Sequence, residues 1–405
     1  MAAPSPDLEH PAFRPLEVQR VQQGRQNGVL LLDRLGIAEP TFVPEELLPI
    51  VGRFDGAKSV TAVCAELADA HGESVPETFV HDLVRQLDER LVLRSPRFEQ
   101  ALGSQVRAFL AAGTRPCRHA GSAGYARDPE RLRAELARMV PKAAAARPAL
   151  RGLVAPHIDL QRGHAGYAAA YGRLLQSAPA DLYVVFGTGH AGPSAPVTGL
   201  PLDWETPLGV ARTDRAFVAA VHDALGNATD HDLFLHRDEH SLEFQVLLLQ
   251  HLAEQRGSPP FEVACFLCGS LPSATGDPSA APHVQRLVGA FRTAATRSGK
   301  QVCFLAGADL AHLGPFFGDP TPVDHQLRLR LDADERARLS QLERGAAGAF
   351  HAAVMQHDNP DRVCSATSMY LVGELAGGTA ELLHYGQAVA ADGSQVVSFC
   401  GLGYG

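Results

Sequence analysis

The chain has 405 residues, enough for two or three domains at about 150 residues each. Hydrophobic residues make up 45% and charged residues 20%, a globular balance that excludes disorder, coiled coil and fibre as the dominant class. Lys+Arg is 36 against 45 Asp+Glu, a formal net charge of −9, which speaks against electrostatic binding of nucleic acid.

The start, MAAPSPDLEHP, has neither the basic nor the apolar region of a signal peptide. No run of about 18 apolar residues is present to span a membrane. The expectation is a cytoplasmic protein. VLLLD (29–33) reads as a strand. Pro44 opens EELLPIVGRF, with Leu47, Leu48, Val51 and Phe54 on one helical face. Asp55-Gly56 marks a turn, and Ser59 is placed to cap a helix over VTAVCAELADAH, with Gly72 after its end. Pro76 opens ETFVHDLVRQLDER, with Phe79, Leu83, Val84 and Leu87 facing inward, and LVLR (91–94) closes the unit as a short strand. Residues 1–105 are thus expected to form a small winged-helix-like domain. They carry 10 Lys+Arg and 16 Asp+Glu, a balance of 10 − 16 = −6, so phosphate binding is not expected of them.

Residues 106–405 change character. One helix is expected after Asp128 (cap) and Pro129, stopped by Pro141 and KAAAARPA. From 151, strand-like runs alternate with helical ones: LRGLVAP, GYAAAYGRLLQSA, DLYVVFGTGH, HSLEFQVLLLQHLAEQ, FEVACFLCGS, QVCFLAGADLAH, CSATSMYLVGELAGG, ELLHYGQA and QVVSFCGLGYG. This pattern predicts an α/β domain: a layered mixed sheet flanked by helices. In such sheets ligands bind beyond the carboxyl ends of strands. His157 follows RGLVAP and His190 follows LYVVFGTG. Asp309 and His312 follow VCFLAGA, and His240 begins a helix after HRDE. A single loop histidine is usually a surface residue, but this convergence points to a metal or acid/base site.

The seven cysteines (64, 117, 265, 268, 303, 364 and 400) are scattered and odd in number, so no disulfide framework is expected. Cys265 and Cys268 form a CxxC inside an apolar strand, where alternation puts them on opposite faces, so they are read as core. Trp204 and Glu205 in WETPLG are read as part of a turn set by Pro207 and Gly209.

The stretch from about 115 to 404 resembles the Memo family, called AmmeMemoRadiSam system protein B in bacteria. The motifs that carry the resemblance are RPCRHAGSAGY, APH, VVFGTGH, WETPLGVARTD, DEHSLEFQ, GADLAHLG, VCSATSMYLVGEL, HYGQA and SFCGLGYG. That family is similar in fold to class III, non-haem iron extradiol dioxygenases. The resemblance implies metal ligands at His157, His190 and Cys364. It places Asp309, His312, Glu239 and His240 beside the pocket. It also implies partners among radical-SAM peptide-modifying proteins. The family commonly has APHAGY where this chain has APHIDLQRG, so Asp159 and Arg162 are expected to alter pocket polarity. Within the first domain, LLPIVGRFDGAKSVTAVCAEL followed by a helix and LVL resembles PqqD-like peptide-recognition domains, which implies a peptide added at a sheet edge.

Imidazole and thiolate donors suit one transition-metal ion, iron(II) or copper foremost and zinc as a further option, but not magnesium. Three protein ligands leave open positions for O₂ or a small-molecule or peptide substrate. His240 or His312 would move a proton as general acid/base, and Asp309 would hold an imidazole tautomer. Two other classes stay open: a Cys364/His nucleophilic amidase or hydrolase, and a non-catalytic ligand- or peptide-binding module.

Overall fold

The computed structural model describes residues 8–71, 74–122, 124–141, 146–226, 228–258, 260–273 and 276–405. Gly72 and part of the KAAAARPA stretch lie outside the described residues. The chain divides into two compact units, 1–111 and 112–405.

The first unit begins with an antiparallel meander of β1 (Glu17–Gln23), β2 (Gln26–Leu32) and β3 (Thr41–Pro44). Four helices follow: α1 (Leu48–Val51), α2 (Val60–His71), α3 (Glu77–Glu89) and α4 (Pro96–Ala111), the last running through position 105. The Ser59 hydroxyl accepts the Ala62 N–H at 3.2 Å, as a capping residue should. Two expectations need correction. Phe79 does not face inward: it is 47% exposed, and Val80 takes the buried place beside Leu83, Val84 and Leu87. Residues 79, 80, 83, 84 and 87 fit overlapping arcs of one helix, and only packing chooses between them. LVLR is not a strand; Leu93 makes an isolated bridge to Phe13. Arg14, buried and ion-paired to Asp33 at 2.7 Å, donates to the Leu91 carbonyl and holds that segment.

The second unit opens with β4 (Thr114–Arg115) and α5 (Pro129–Met139), whose cap Asp128 accepts the Arg131 N–H. Next come β5 (Gly152–Ala155), α6 (His164–Leu175), β6 (Leu182–Thr188), β7 (Val197–Gly199), β8 (Asp203–Thr206) and β9 (Gly209–Thr213). Then follow α7 (Arg215–Leu225), α8 (Asp230–Leu235), α9 (His240–Arg256), β10 (Glu262–Cys268), α10 (Pro282–Ser298), β11 (Val302–Gly307) and β12 (Asp309–Leu313). The chain finishes with α11 (His325–Glu343), α12 (Ala347–Met355), α13 (Ala366–Ala376), β13 (Ala380–Val389) and β14 (Val396–Tyr404).

Among the described residues, the strands of this unit form one 11-stranded mixed sheet in the order β12-β14-β5-β11-β6-β10-β9-β8-β4, with β13 on β14 and β7 on β10. β5, β11, β6 and β10 are parallel, and β14 runs antiparallel to β5. Helices α6 and α9 pack on one face; α7, α10, α11 and α13 pack on the other. The four parallel strands are buried nearly end to end, which is why they read as unbroken apolar runs. Cys265 and Cys268 lie inside β10, and burial pushes both thiols up in pKa. Trp204 lies in β8 and is wholly buried under the Arg115 guanidinium, 4.9 Å from its ring, instead of in a surface turn. Asp309 and His312 do not sit in a loop after β11: they lie on β12, a short strand paired antiparallel with β14. Among the described residues, no helix is long and apolar enough to cross a membrane.

Candidate metal centre

β5, β6 and β11 lie side by side and parallel, so their carboxyl ends open on one edge of the sheet. His157 stands two residues past β5, His190 two past β6, and Asp309 just past β11. Cys364 arrives from the turn before α13. The ligand atoms of His157, His190 and Cys364 all lie within 4.8 Å of one another.

Each imidazole is oriented by its other nitrogen. His157 is 2% exposed, and its Nδ1–H donates to the Gly307 carbonyl at 2.9 Å. Its Nε2 faces Cys364 Sγ at 3.5 Å and Asp309 Oδ2 at 3.5 Å. A Cβ at Gly307 would fall 2.3 Å from the Ser241 carbonyl of α9, so only glycine lets β11 and that helix approach here. The His190 Nδ1–H donates to both oxygens of Glu239, at 3.0 and 3.1 Å, which leaves Nε2 for the centre. Glu239 is 5% exposed and caps α9 by accepting the Ser241 N–H. Burial opposes its ionisation, but His190 and the backbone donors hold its carboxyl far below the usual range. His190, Glu239 and His240 are also close enough together to hold an ion.

The charges at the centre support one another. Burial disfavours the His157 cation, yet Asp309 and Cys364 outweigh it and lift its pKa to about 9. His190, about one-third exposed, is also raised, with Glu239 overcoming desolvation. Burial likewise opposes the Cys364 thiolate, but His157 and the other nearby imidazoles hold its pKa well below the ordinary value. Asp309 is raised, chiefly by burial and also by Cys364.

His240 stacks on His190 with ring centres 4.8 Å apart and stands perpendicular to His157 at 5.4 Å. Burial pushes its pKa down to about 3, so it is a neutral base at physiological pH. Asp309 accepts the backbone N–H of His157 at 3.0 Å. The His312 Nδ1–H is held by the Leu310 carbonyl at 3.0 Å, with its ring perpendicular to Phe317. Asp159 and Arg162 pair with each other across the turn that leads into α6, and Asp159 also accepts the Arg162 N–H.

Several contributors escaped the sequence reading. The Ser365 hydroxyl ties the edge together, bonding to Thr188 Oγ1 at 2.9 Å and accepting the Asp309 N–H at 3.1 Å. Its neighbour Cys364 was the only signal for it. Glu243 is fully buried and pairs with Arg115; it also accepts Tyr125 O–H, Cys117 S–H and the backbone N–H groups of Arg118 and His119. The motif RPCRHAGSAGY is therefore a clasp around one carboxylate of α9. It carries His119 to within 5.8 Å of the His240 ring.

A three-layered α/β unit with two histidines at the ends of its strands and a cysteine from the turn before α13 is the architecture that motifs such as APH, GTGH and VCSATS mark out. The family model described as "Memo-like protein" matches residues 115–403, and the chain belongs to that family. It is similar to a MEMO1 family protein of Aquifex aeolicus (28% identical over 327 residues, 81% of each chain). A MEMO1 family protein of Thermus thermophilus is 27% identical over 309 residues, 76% of this chain and 86% of that one. A MEMO1 family protein of Methanococcoides burtonii is 35% identical over 164 residues, 40% of this chain and 55% of that one.

Proposed function

We propose that the chain is a metal-binding, oxidoreductase-like Memo protein, holding one redox-active ion through His157 Nε2, His190 Nε2 and Cys364 Sγ. The observation that carries this reading is the orientation of the two imidazoles. The Gly307 carbonyl and the Glu239 carboxylate each occupy an Nδ1, and both Nε2 atoms are left converging on the thiolate. The fit is chemically sound. Donors about 2.0–2.3 Å from a tetrahedral ion lie roughly 3.5 Å apart, the His157 Nε2–Cys364 Sγ spacing of 3.5 Å. Two imidazoles and a thiolate favour iron(II) or copper, with zinc as an alternative. When bound, the ion would supply Lewis acidity and one-electron chemistry to an oxygen-bearing ligand.

The protein's own groups do the remaining work. His240, neutral and beside both metal histidines, takes up or returns a proton at the substrate. Asp309 fixes His157 through its backbone N–H. The substrate is a small molecule or peptide, and the family resemblance makes radical-SAM peptide-modifying proteins the partners to test. Anaerobic purification followed by elemental analysis and an oxygen-uptake assay tests the reading. A stoichiometric ion that is lost in Cys364→Ala, with oxygen uptake lost alongside it, is the expected result; equal metal content in wild type and in Ala variants of His157, His190 and Cys364 would overturn it.

One observation favours a second reading. Cys364 and His157 have the spacing of a thiolate–imidazolium pair, so a nucleophilic amidase or hydrolase would use His157 as its base instead of His240 or His312. Hydrolysis that survives a chelator and is lost on alkylation of Cys364 would select it.

A further inference from the structure

β12 pairs with β14 through Asp309–Phe399, His312–Val397 and Leu313–Val396. A step of three residues on β12 thus faces a step of two on β14, which is a one-residue bulge between Asp309 and His312. In a regular strand, residues three apart point to opposite faces. Val397 and Phe399 are two apart and share a face, so the residues opposite them share it as well. The bulge therefore turns Asp309 and His312 to the same side. It is the side of Ile158, against which Val397 and Phe399 pack, next to His157. There Asp309 accepts the His157 N–H, and the His312 ring lies against the Arg362 carbonyl, two residues before Cys364.

A bulge leaves backbone groups without ladder partners, and these must be satisfied if buried. Here the Ala311 N–H is shared by Ser398 Oγ at 2.9 Å and Glu335 Oε1 at 3.1 Å. The Ser398 hydroxyl donates to Glu335 Oε1 at 2.7 Å, and the Tyr385 hydroxyl donates to Oε2 at 2.7 Å. Glu335 is 1% exposed and comes from α11 on the opposite face of the sheet, where Leu331 of the same helix packs with Ala311, Leu313 and Val396. An apolar residue would fill that core without the cost of burying a carboxyl.

We propose that Glu335 is a positioning residue for the site: with Ser398 it locks β12 in the bulged register that presents Asp309 and His312 together beside His157 and Cys364. The effect on metal affinity rests on the metal reading above; the geometry of the bulge does not.

The test uses the full-length protein and three variants. Glu335→Gln keeps the side chain's shape and one acceptor, whereas Glu335→Ala and Ser398→Ala remove acceptors at the bulge. The first readout is the His312 ring resonance in ¹³C-histidine-labelled protein, displaced by the Phe317 ring that stands perpendicular at 5.2 Å. It is expected to move in both Ala variants and to stay in place in Glu335→Gln, with circular dichroism unchanged. An unmoved resonance in a folded Glu335→Ala overturns the inference; should that variant not fold, Ser398→Ala decides in the same way. The second readout is cobalt(II) affinity, expected to fall on the order of tenfold in Glu335→Ala and to fall no further when Glu335→Ala is added to Asp309→Asn. Losses that multiply in the double variant would mark general destabilisation and overturn the positioning role. If the wild type takes up no cobalt, the metal reading fails and the His312 resonance alone decides the role of Glu335.

Discussion

Replacing Glu239 by Gln separates the orientation of His190 from its presence. The carboxylate accepts from Ser241 N–H and His190 Nδ1–H on Oε1, and from His190 N–H and Nδ1–H on Oε2. An amide has one acceptor oxygen. Whichever way it is turned, its NH₂ group meets a backbone N–H of either Ser241 or His190, in a place only 5% exposed. A hydrogen bond to a charged acceptor contributes about 1.5–3 kcal/mol. Loss of a carboxylate that orients a metal-binding histidine lowers metal affinity by about 10–100-fold, or about 1.4–2.7 kcal/mol. The two estimates agree, so Glu239→Gln should weaken metal binding by one to two orders of magnitude with all three ligands intact. Competition titration of zinc(II) against a chromophoric chelator measures this, with thermal melting of the apo proteins as a check on folding. An affinity within about twofold of wild type would show that the Glu239–His190 contact does not orient the ligand, contrary to the usual effect of such partners.

The pH dependence of metal binding follows from the same charges. In the metal-free protein, His157 titrates near 9 and His190 is also raised, while Cys364 is lowered. Around neutral pH both imidazoles must therefore release a proton when the ion binds, and log K should rise by about two per pH unit; a flat profile in a zinc titration would contradict the charge assignment. Arg115→Met would leave the Glu243 carboxylate buried without its cation, at a cost of about 3–5 kcal/mol. The loss should appear in a urea titration followed by fluorescence of Trp204, the only tryptophan, which lies under that guanidinium. In the first unit, Val80→Ala should cost about 2 kcal/mol while Phe79→Ser costs under about 0.5 kcal/mol. Denaturation of the two variants ranks them, and the reverse order would restore Phe79 to the core.

The parallel strands that build the site were legible because strands buried on both faces leave continuous apolar runs, each with a polar residue at its carboxyl end. His157 and His190 could be placed in that way. Cys364 could not: it precedes a helix, with no strand run to point at it, and only the family motif singled it out. Asp159 and Arg162 stood out as a departure in motif, and the turn in which they pair was not legible there.

What the sequence determined by itself was local: the periodicities, the caps at Ser59 and Asp128, and the polar residues that end the strands. The tertiary structure decided which of them meet. Glu243 finds Arg115 at a separation of 128 residues, and neither residue carries a local sign of the other. The strict alternation of a strand would send Asp309 and His312 apart. A bulge held by α11 brings them to one face, because hydrogen-bond satisfaction of one buried N–H depends on side chains that only the folded sheet delivers.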